Sequence, residues 1–269
     1  MHTSTLFSAT ELNDLKQVAI KAGREIMNIY NSDFEFVMKS DGSPVTVADR
    51  NANKIITDYL SEHFSYPILS EEHDEIPYET RKQWTRYWLI DPLDGTKEFI
   101  KKRREFTVNI ALIEEGRPIF GIIYAPVFEE LFWAEKNKGT FFTYKDITTP
   151  LVKSKGLDFT QGKFSNSSNK SLKLIVSRSH CGLMNLNQFF EKNRTYEIQT
   201  IFMGSSLKFC RLAQGKIDCY IRMKPTMEWD TAAGHIIAEE SNAQVLNYED
   251  SLPLRYNKEH LVNPFFISF

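Results

Sequence analysis

Apolar residues recur at helical spacing near the start of the chain. Leu12, Leu15, Val18, Ala19, Ala22, Ile26 and Ile29 share one face, which predicts an amphipathic helix over residues 10–30. A second helix is predicted over 50–64, with Ile55, Ile56, Tyr59 and Leu60 on one face and Asp49 at its start. Residues 67–72 read as a short buried strand ending in acid, and 88–90 as a buried strand that stops at Pro92, whose ring fixes φ and removes the N–H a ladder needs. A short helix over 96–102 follows the bend. Residues 106–144 then read as an antiparallel meander, with strands over 106–113, 119–124, 131–134 and 140–144. The stretch 153–170, rich in Ser, Asn, Gly and Lys, is the expected linker, dividing the chain into domains 1–160 and 161–269. Beyond it strand and helix alternate: strands over 172–176 and 217–221, and helices over 183–192, 205–214 and 229–241, which implies an α/β layer.

Several polar positions in this pattern carry chemistry. Asp91 and Asp94 flank the bend after the strand at 88–90, and Gly95 precedes the next helix. Clustered carboxylates repel and raise each other's pKa unless a cation neutralises them, while free N–H groups at a helix start favour an anion. A hard metal and a phosphoryl group at one point would satisfy both. Each piece also has a plainer reading. Asp-Pro and Asp-Gly are turn dipeptides, Asp49 and Asp230 could be helix N-caps, and Glu71 could belong to a solvated acidic loop. The basic run 101–104 could be a solvated loop or a collar for substrate phosphate.

Composition narrows the partners. The 269 residues are 42% hydrophobic and 25% charged, ordinary for a globular chain, and the formal net charge of -2 argues against general attraction to nucleic acid or anionic membrane. Cys181, Cys210 and Cys219 are odd in number and lack zinc-like pairing, so no disulfide framework is expected and a reducing cytoplasm fits. There is no charged n-region followed by an apolar core, and no run of about 18 apolar residues, so neither secretion nor an integral membrane segment is expected. Peripheral association with the inner membrane stays open.

Taken together, Asp49 within VTVAD, Glu71 within SEE, Asp91 to Thr96 as DPLDGT and Asp230 within WDTAA resemble, in order and spacing, the magnesium-dependent, lithium-sensitive phosphomonoesterases of the inositol monophosphatase superfamily. SDGSPVTVAD, DPLDGTKEF, EFTVNIALIEEG, VSRSH, GSSLKF and PTMEWDTAAG look most like its bacterial 3'(2'),5'-bisphosphate nucleotidase branch, the CysQ type, with Lys97-Glu98-Phe99 as the most useful local cue. The chain departs from that pattern in 153–170 and after His180.

The resemblance implies a mixed α+β chain, in the broad α/β class, with a layered α-β-α-β-α sugar-phosphatase fold. An N-terminal antiparallel-sheet domain would carry most metal ligands, and a C-terminal α/β domain would supply Asp230. It implies two or three Mg²⁺ ions, one on Glu71, Asp91 and the Leu93 carbonyl and a second on Asp91, Asp94 and Asp230. Water would attack phosphorus directly. Thr96 would position that water and Asp49 would accept from its hydroxyl, with Glu71 close enough to assist; which group is the base stays open. Gly95 and Thr96 amides would grip the phosphate, with Glu71, Leu93, Asp94 and Asp230 around it. Arg178, His180, Ser205, Ser206, Lys208 and Arg222 would face the rest of a nucleoside bisphosphate. The implied activity is hydrolysis of adenosine 3',5'-bisphosphate to AMP in sulfate assimilation, with the sulfated parent nucleotide as a second substrate, by a cytoplasmic monomer or homodimer. Alternatives are an inositol or sugar monophosphatase on the same metal site, and a non-catalytic nucleotide sensor.

Overall fold

Helix α1 (Ala9–Tyr30) begins at Ser8. The Ser8 hydroxyl accepts from the Glu11 N–H at 3.2 Å and the Glu11 carboxylate accepts from the Ser8 N–H at 2.7 Å, a reciprocal cap that satisfies two donors at once. The structure, a computed structural model, describes residues 5–38, 44–153, 157–160, 162–165, 171–178 and 183–269, with 183–185 described by backbone alone. His180 and Cys181 lie outside the described residues, as do 40–43 of the SDGSPVTVAD motif. Cys210 and Cys219 are buried and free.

An antiparallel pair, β1 (Phe36–Met38) and β2 (Pro44–Thr46), leads into α2 (Val47–His63). This helix starts earlier than the expected residue 50. Thr46 is its N-cap and Asp49 sits in its first turn, so Asp49 is not the cap.

The larger sheet is built from β3 (Ile68–Ser70), β4 (Arg86–Asp94), β5 (Thr107–Glu114), β6 (Arg117–Ala125), β7 (Glu130–Glu135), β8 (Gly139–Tyr144) and β9 (Ile147–Leu151), in that order, with α3 (Tyr78–Arg81) and α4 (Thr96–Ile100) between its strands. Strands β3 and β4 are parallel and every later neighbour is antiparallel. Contrary to the expected stop at Pro92, β4 continues to Asp94. Its register runs Asp91↔Asn109 and then Asp94↔Thr107, which places one extra residue on β4. Such a bulge leaves a backbone group unpaired, so a proline without an N–H is tolerated there.

The smaller sheet has the order β13-β12-β14-β16-β15, from β12 (Ser171–Ser177), β13 (Glu197–Met203), β14 (Cys219–Arg222), β15 (Val245–Asn247) and β16 (Phe266–Ser268). Strand β12 is parallel to β13 and β14, and the other pairs are antiparallel. Its helices are α5 (Leu183–Lys192), α6 (Leu207–Ala213) and α7 (Ala232–Glu240). Two of these begin later than expected. Ser205 lies ahead of α6 at φ +50°, and a 3₁₀ turn over Glu228–Asp230 precedes α7. The expected linker contains a hairpin, β10 (Asp158–Thr160) and β11 (Lys163–Ser165).

Strands β4 to β7 of the larger sheet are buried along nearly their whole length because both faces are covered there, while β9 at its edge is exposed. Trp88, Ile90, Ile110 and Ile122 point to α1 and α2, packing with Leu15, Ile26 and Ile56. Leu89, Ala111 and Ile123 point the other way, onto a layer of α6 and α7 that also covers Ile175, Tyr220 and Phe266 of the smaller sheet. A Cβ on Gly121 of β6 would stand 2.6 Å from Ile236 and 2.9 Å from the Ala233 Cα, so the close approach of α7 requires glycine there. On the far face of the smaller sheet, Leu174, Ile221 and Ile267 meet Phe189 of α5 and Phe159 and Phe164 of the hairpin. The sequence of layers is α-β-α-β-α, as expected. The core around the middle layer draws residues from both sides of position 160. Among the described residues, no helix is long and apolar enough to cross a membrane.

Candidate active site

The acidic residues gather where strand ends meet. Ser70 pairs with Ile90 across the parallel β3 and β4, so Glu71, just past the end of β3, comes beside Asp91 of β4. The β4 bulge then swings Asp94 toward the same point, and the Leu93 N–H donates to Asp91 Oδ1 at 3.0 Å. Asp230 arrives from the 3₁₀ turn before α7. It does not cap that helix, because Thr231 occupies the cap position; its Oδ2 accepts the Met227 N–H at 2.9 Å. Carboxylate oxygens of Asp91, Asp94 and Asp230 lie within 4.8 Å of one another.

Electrostatics show what this arrangement needs. Burial, followed by the charges of Glu71, Asp94 and Asp230, holds the Asp91 pKa well above the carboxylate range. Asp230 is raised well above it too, by burial and then by Asp94 and Glu71, with Arg222 and the Met227 N–H opposing. Asp94 is raised by burial, and the Lys208 ammonium, the Ser206 N–H and Asn109 counter that rise. Buried carboxylates in this state hold either protons or a cation. An all-oxygen donor set of carboxylates plus the Leu93 carbonyl fits a hard divalent cation such as Mg²⁺.

Beside the cluster, Asp49 Oδ2 accepts from both the Thr46 N–H (2.7 Å) and the Thr46 hydroxyl (2.6 Å), leaving Oδ1 to face the Thr96 hydroxyl at 3.1 Å. Thr96 Oγ1 also lies 3.2 Å from the Leu93 carbonyl, so one proton has two acceptors. Burial pushes the Asp49 pKa up to about 6 and the charge of Glu72 adds to it, against the hydrogen bonds from Thr46 and Thr96. Gly95, at φ +97°, opens α4; a Cβ there would stand 2.9 Å from the Glu105 carbonyl oxygen, so only glycine turns the chain this way.

One cavity is lined by Glu71, Asp91, Leu93, Asp94, Gly95, Thr96, Ser205, Ser206, Lys208, Arg222 and Asp230, and Asp49 stands behind Thr96. Four of the expected substrate residues have partners within the chain. Ser206 donates its N–H to Asp94 Oδ2, and its hydroxyl bonds Asn109 Oδ1 and Thr107 Oγ1, both at 2.7 Å, so it orients Asp94 from the wall. Arg178 does not line the cavity. Its guanidinium forks onto Glu105, with Nε at 3.0 Å and Nη2 at 2.7 Å, and Glu105 in turn accepts the Gly204 N–H. Lys208 is buried, donates to the Ser205 carbonyl, and has its pKa lowered to about 8 by burial, with Arg222 adding and Asp94 opposing. Arg222 Nε and Nη2 are held by the Lys224 and Pro225 carbonyls.

Sequence reasoning missed Ser177, Thr226 and Thr231 in the wall, and Asn109 behind Asp94. Ser177 ends β12, a parallel strand, and the rule that ligands gather beyond the carboxyl ends of such strands was the available signal.

The inositol monophosphatase family model matches residues 9–264. The chain belongs to the inositol monophosphatase family. Among relatives of this family member, the 3'(2'),5'-bisphosphate nucleotidase CysQ of Escherichia coli strain K12 is 40% identical over 267 residues, covering 95% of this chain and 98% of that one. The same-named protein of Haemophilus influenzae is 32% identical over 258 residues, covering 95% of this chain and 91% of its own length. Among solved structures, CysQ from Bacteroides thetaiotaomicron superposes with a TM-score of 0.80 at 37% identity over 98% of each chain. An inositol monophosphatase from Thermotoga maritima shares the fold, with a TM-score of 0.75 at 23% identity over 96% of this chain and 91% of its own.

Proposed function

We propose that this member of the inositol monophosphatase family is a magnesium-dependent 3'(2'),5'-bisphosphate nucleotidase, taking adenosine 3',5'-bisphosphate and water to AMP and inorganic phosphate. The observation that carries the reading is one cavity with the acidic cluster of Asp91, Asp94 and Asp230 in its wall together with the cations Lys208 and Arg222. A monophosphate needs the first group only, whereas a bisphosphate leaves a second anion to be matched by the cations. The nucleotidase name of relatives 40% identical over 95% of this chain supports the same substrate class.

In this reading Glu71, Asp91, the Leu93 carbonyl, Asp94 and Asp230 hold two or three Mg²⁺ ions. When bound, the metal supplies Lewis-acid polarisation of the phosphoryl oxygens and makes water a stronger nucleophile. The chain's own residues do the rest. Asp49, anchored by Thr46, draws the Thr96 proton to itself and so turns a Thr96 lone pair toward the attacking water. Because Oδ2 is fully engaged, only Oδ1 remains to hold Thr96, which fixes the direction of that hydrogen bond. Gly95 and Thr96 offer backbone N–H groups to the reacting phosphate. Ser206 and Asn109 keep Asp94 oriented, and Lys208 and Arg222 hold the phosphate that is not cleaved. Residues 1–160 thus supply most metal ligands, and 161–269 supply Asp230 and the substrate side.

Phosphate release from adenosine 3',5'-bisphosphate, inositol 1-phosphate and fructose 1,6-bisphosphate, each with and without Mg²⁺, tests the reading. The nucleotide should be the best substrate and chelator should abolish turnover. A preference for inositol 1-phosphate would replace the substrate, and undiminished turnover in chelator would remove the metal.

A further inference from the structure

Behind the Asp230 turn runs a buried polar chain with no part in the mechanism above. Arg117 Nη2 donates to Glu239 Oε1 at 2.7 Å, and His235 Nε2 lies 3.0 Å from the same oxygen, off the N–H axis. The other ring nitrogen, Nδ1, is 2.9 Å from the Tyr256 hydroxyl, which is 3.3 Å from Thr231 Oγ1. Asn263 Nδ2 donates to Thr231 Oγ1 at 2.9 Å and to the Met227 carbonyl at 2.7 Å. Met227 then donates its own N–H to Asp230 Oδ2. Thr231, His235, Tyr256 and Asn263 are all buried.

The chain has a direction. A carboxylate facing Nε2 favours the tautomer with its proton on that nitrogen, which leaves Nδ1 as acceptor for the Tyr256 O–H. Burial lowers the His235 pKa, in keeping with a neutral ring. With its proton given to His235, Tyr256 presents only lone pairs to Thr231. Thr231 can then donate to Tyr256 or to the Glu228 carbonyl, 3.2 Å away, while it accepts from Asn263. Two buried atoms of the network, His235 Nε2 and Asn263 Oδ1, make no hydrogen bond among the described residues, so the bonds that tie it to the turn are those of Tyr256, Thr231 and Asn263 Nδ2.

We infer that His235 and Tyr256 are positioning residues for Asp230, holding the Met227–Thr231 turn so that the Asp230 carboxylate faces the metal cluster. The inference rests on the metal reading given above. It differs from simple packing of α7, because packing would affect melting without affecting Mg²⁺.

The test is calorimetric titration of the full chain with Mg²⁺ alone, together with melting in chelator, for wild type, Tyr256→Phe, Glu239→Gln and Asp230→Asn. Loss of a direct hydrogen-bond partner of a metal ligand typically changes affinity by about 10-fold or more, and Tyr256 acts on Asp230 through Thr231, Asn263 and Met227, so Tyr256→Phe should raise the Mg²⁺ Kd by up to about that factor, with turnover recovering at saturating Mg²⁺. Glu239 is partly exposed at the far end of the chain. Its Gln variant can present an amide N–H to Nε2, make Nδ1 the donor and reverse the chain, so it should weaken Mg²⁺ in the same sense and serves if Tyr256→Phe does not fold. Lower melting with wild-type Mg²⁺ affinity in a folded variant overturns the inference. Wild-type affinity in Asp230→Asn would overturn the assignment of Asp230 itself, and the inference with it.

Discussion

Replacing Asp230 with Asn separates the roles a carboxylate can have there. The amide oxygen can still accept the Met227 N–H, now 2.9 Å from Oδ2, and α7 keeps its cap position at Thr231, so no helix end is exposed. What is removed is one negative charge from a set of oxygens within 4.8 Å, where two unit charges repel by about 3.5 kcal/mol at an effective dielectric of 20. Burial and mutual repulsion raise the pKa values of Asp91 and Asp230, so each holds its charge less readily than a free carboxylate, and the recoverable stability is below the full repulsion, on the order of 1 to 3 kcal/mol. Its sign is the informative part. In chelator Asp230→Asn should melt a few degrees higher than wild type, since about 1 kcal/mol moves a chain of this size by roughly 2–4 °C. In Mg²⁺ the order should invert, because the variant has lost part of the charge that holds the cation, and phosphate release should need more Mg²⁺ for half-saturation. Melting curves in both conditions, with activity titrated against Mg²⁺, decide the matter. A variant that melts with wild type in chelator and shares its Mg²⁺ curve would refute the reasoning, leaving Asp230 as a turn residue.

Thr96→Val should fold and bind Mg²⁺ but lose activity on the order of 10²-fold, the usual scale for a positioned proton-transfer group; steady-state phosphate release checks it, and near-wild-type kinetics would remove Thr96 and Asp49 from the mechanism. Asp49 must be ionised to accept from Thr96, so kcat/KM should fall as pH drops through about 6, and Asp49→Asn should flatten that limb at a reduced rate. The sign reverses for stability. A raised carboxylate pKa contributes stability that is complete below the unfolded value and is lost as pH rises to the folded one, so melting in chelator should fall between about pH 4 and about pH 6 and level off above that. Gly95→Ala forces a side chain into φ +97° with its Cβ 2.9 Å from the Glu105 carbonyl oxygen, and denaturant unfolding should register a loss of about 1–3 kcal/mol.

The elements that could be read from sequence are those whose pattern has a single physical cause. The stripe from Leu15 to Ile26 had to be a helix buried on one side, and the unbroken run from Ile110 to Ile113 had to be a strand covered on both faces. Pro92 misled because a missing N–H ends an ordinary ladder but fits a bulge, and the extra residue on β4 is visible only in its register with β5. The start of α2 was more accessible, since Thr46 and Asp49 stand at the spacing of a reciprocal cap; reading Asp49 itself as a possible N-cap passed over Thr46. Strand β13 went unseen because its residues are at most half-buried and leave little apolar signature at an edge. In the site, order and spacing located the carboxylates, but nothing local to Arg178 announces its bond to Glu105, which is 73 positions away.

That contact belongs to a broader asymmetry in how the two halves stabilise the acid cluster. Asp94 comes from the larger sheet, yet much of its compensation comes from the start of α6, through the Ser206 N–H and Lys208, with Asn109 behind it. The leading charges on Asp91, by contrast, are the carboxylates of Glu71, Asp94 and Asp230. The second half of the chain therefore does more than contribute Asp230: it lets Asp94 carry its charge more readily than Asp91 can before any cation arrives. A divalent ion gains most where negative charge is least compensated, so its strongest attraction is to the Glu71 and Asp91 side. Lys208 then stands where it can oppose a cation beside Asp94 and favour an anion, which is the distribution a site needs if metal and a second phosphate are to share one cavity.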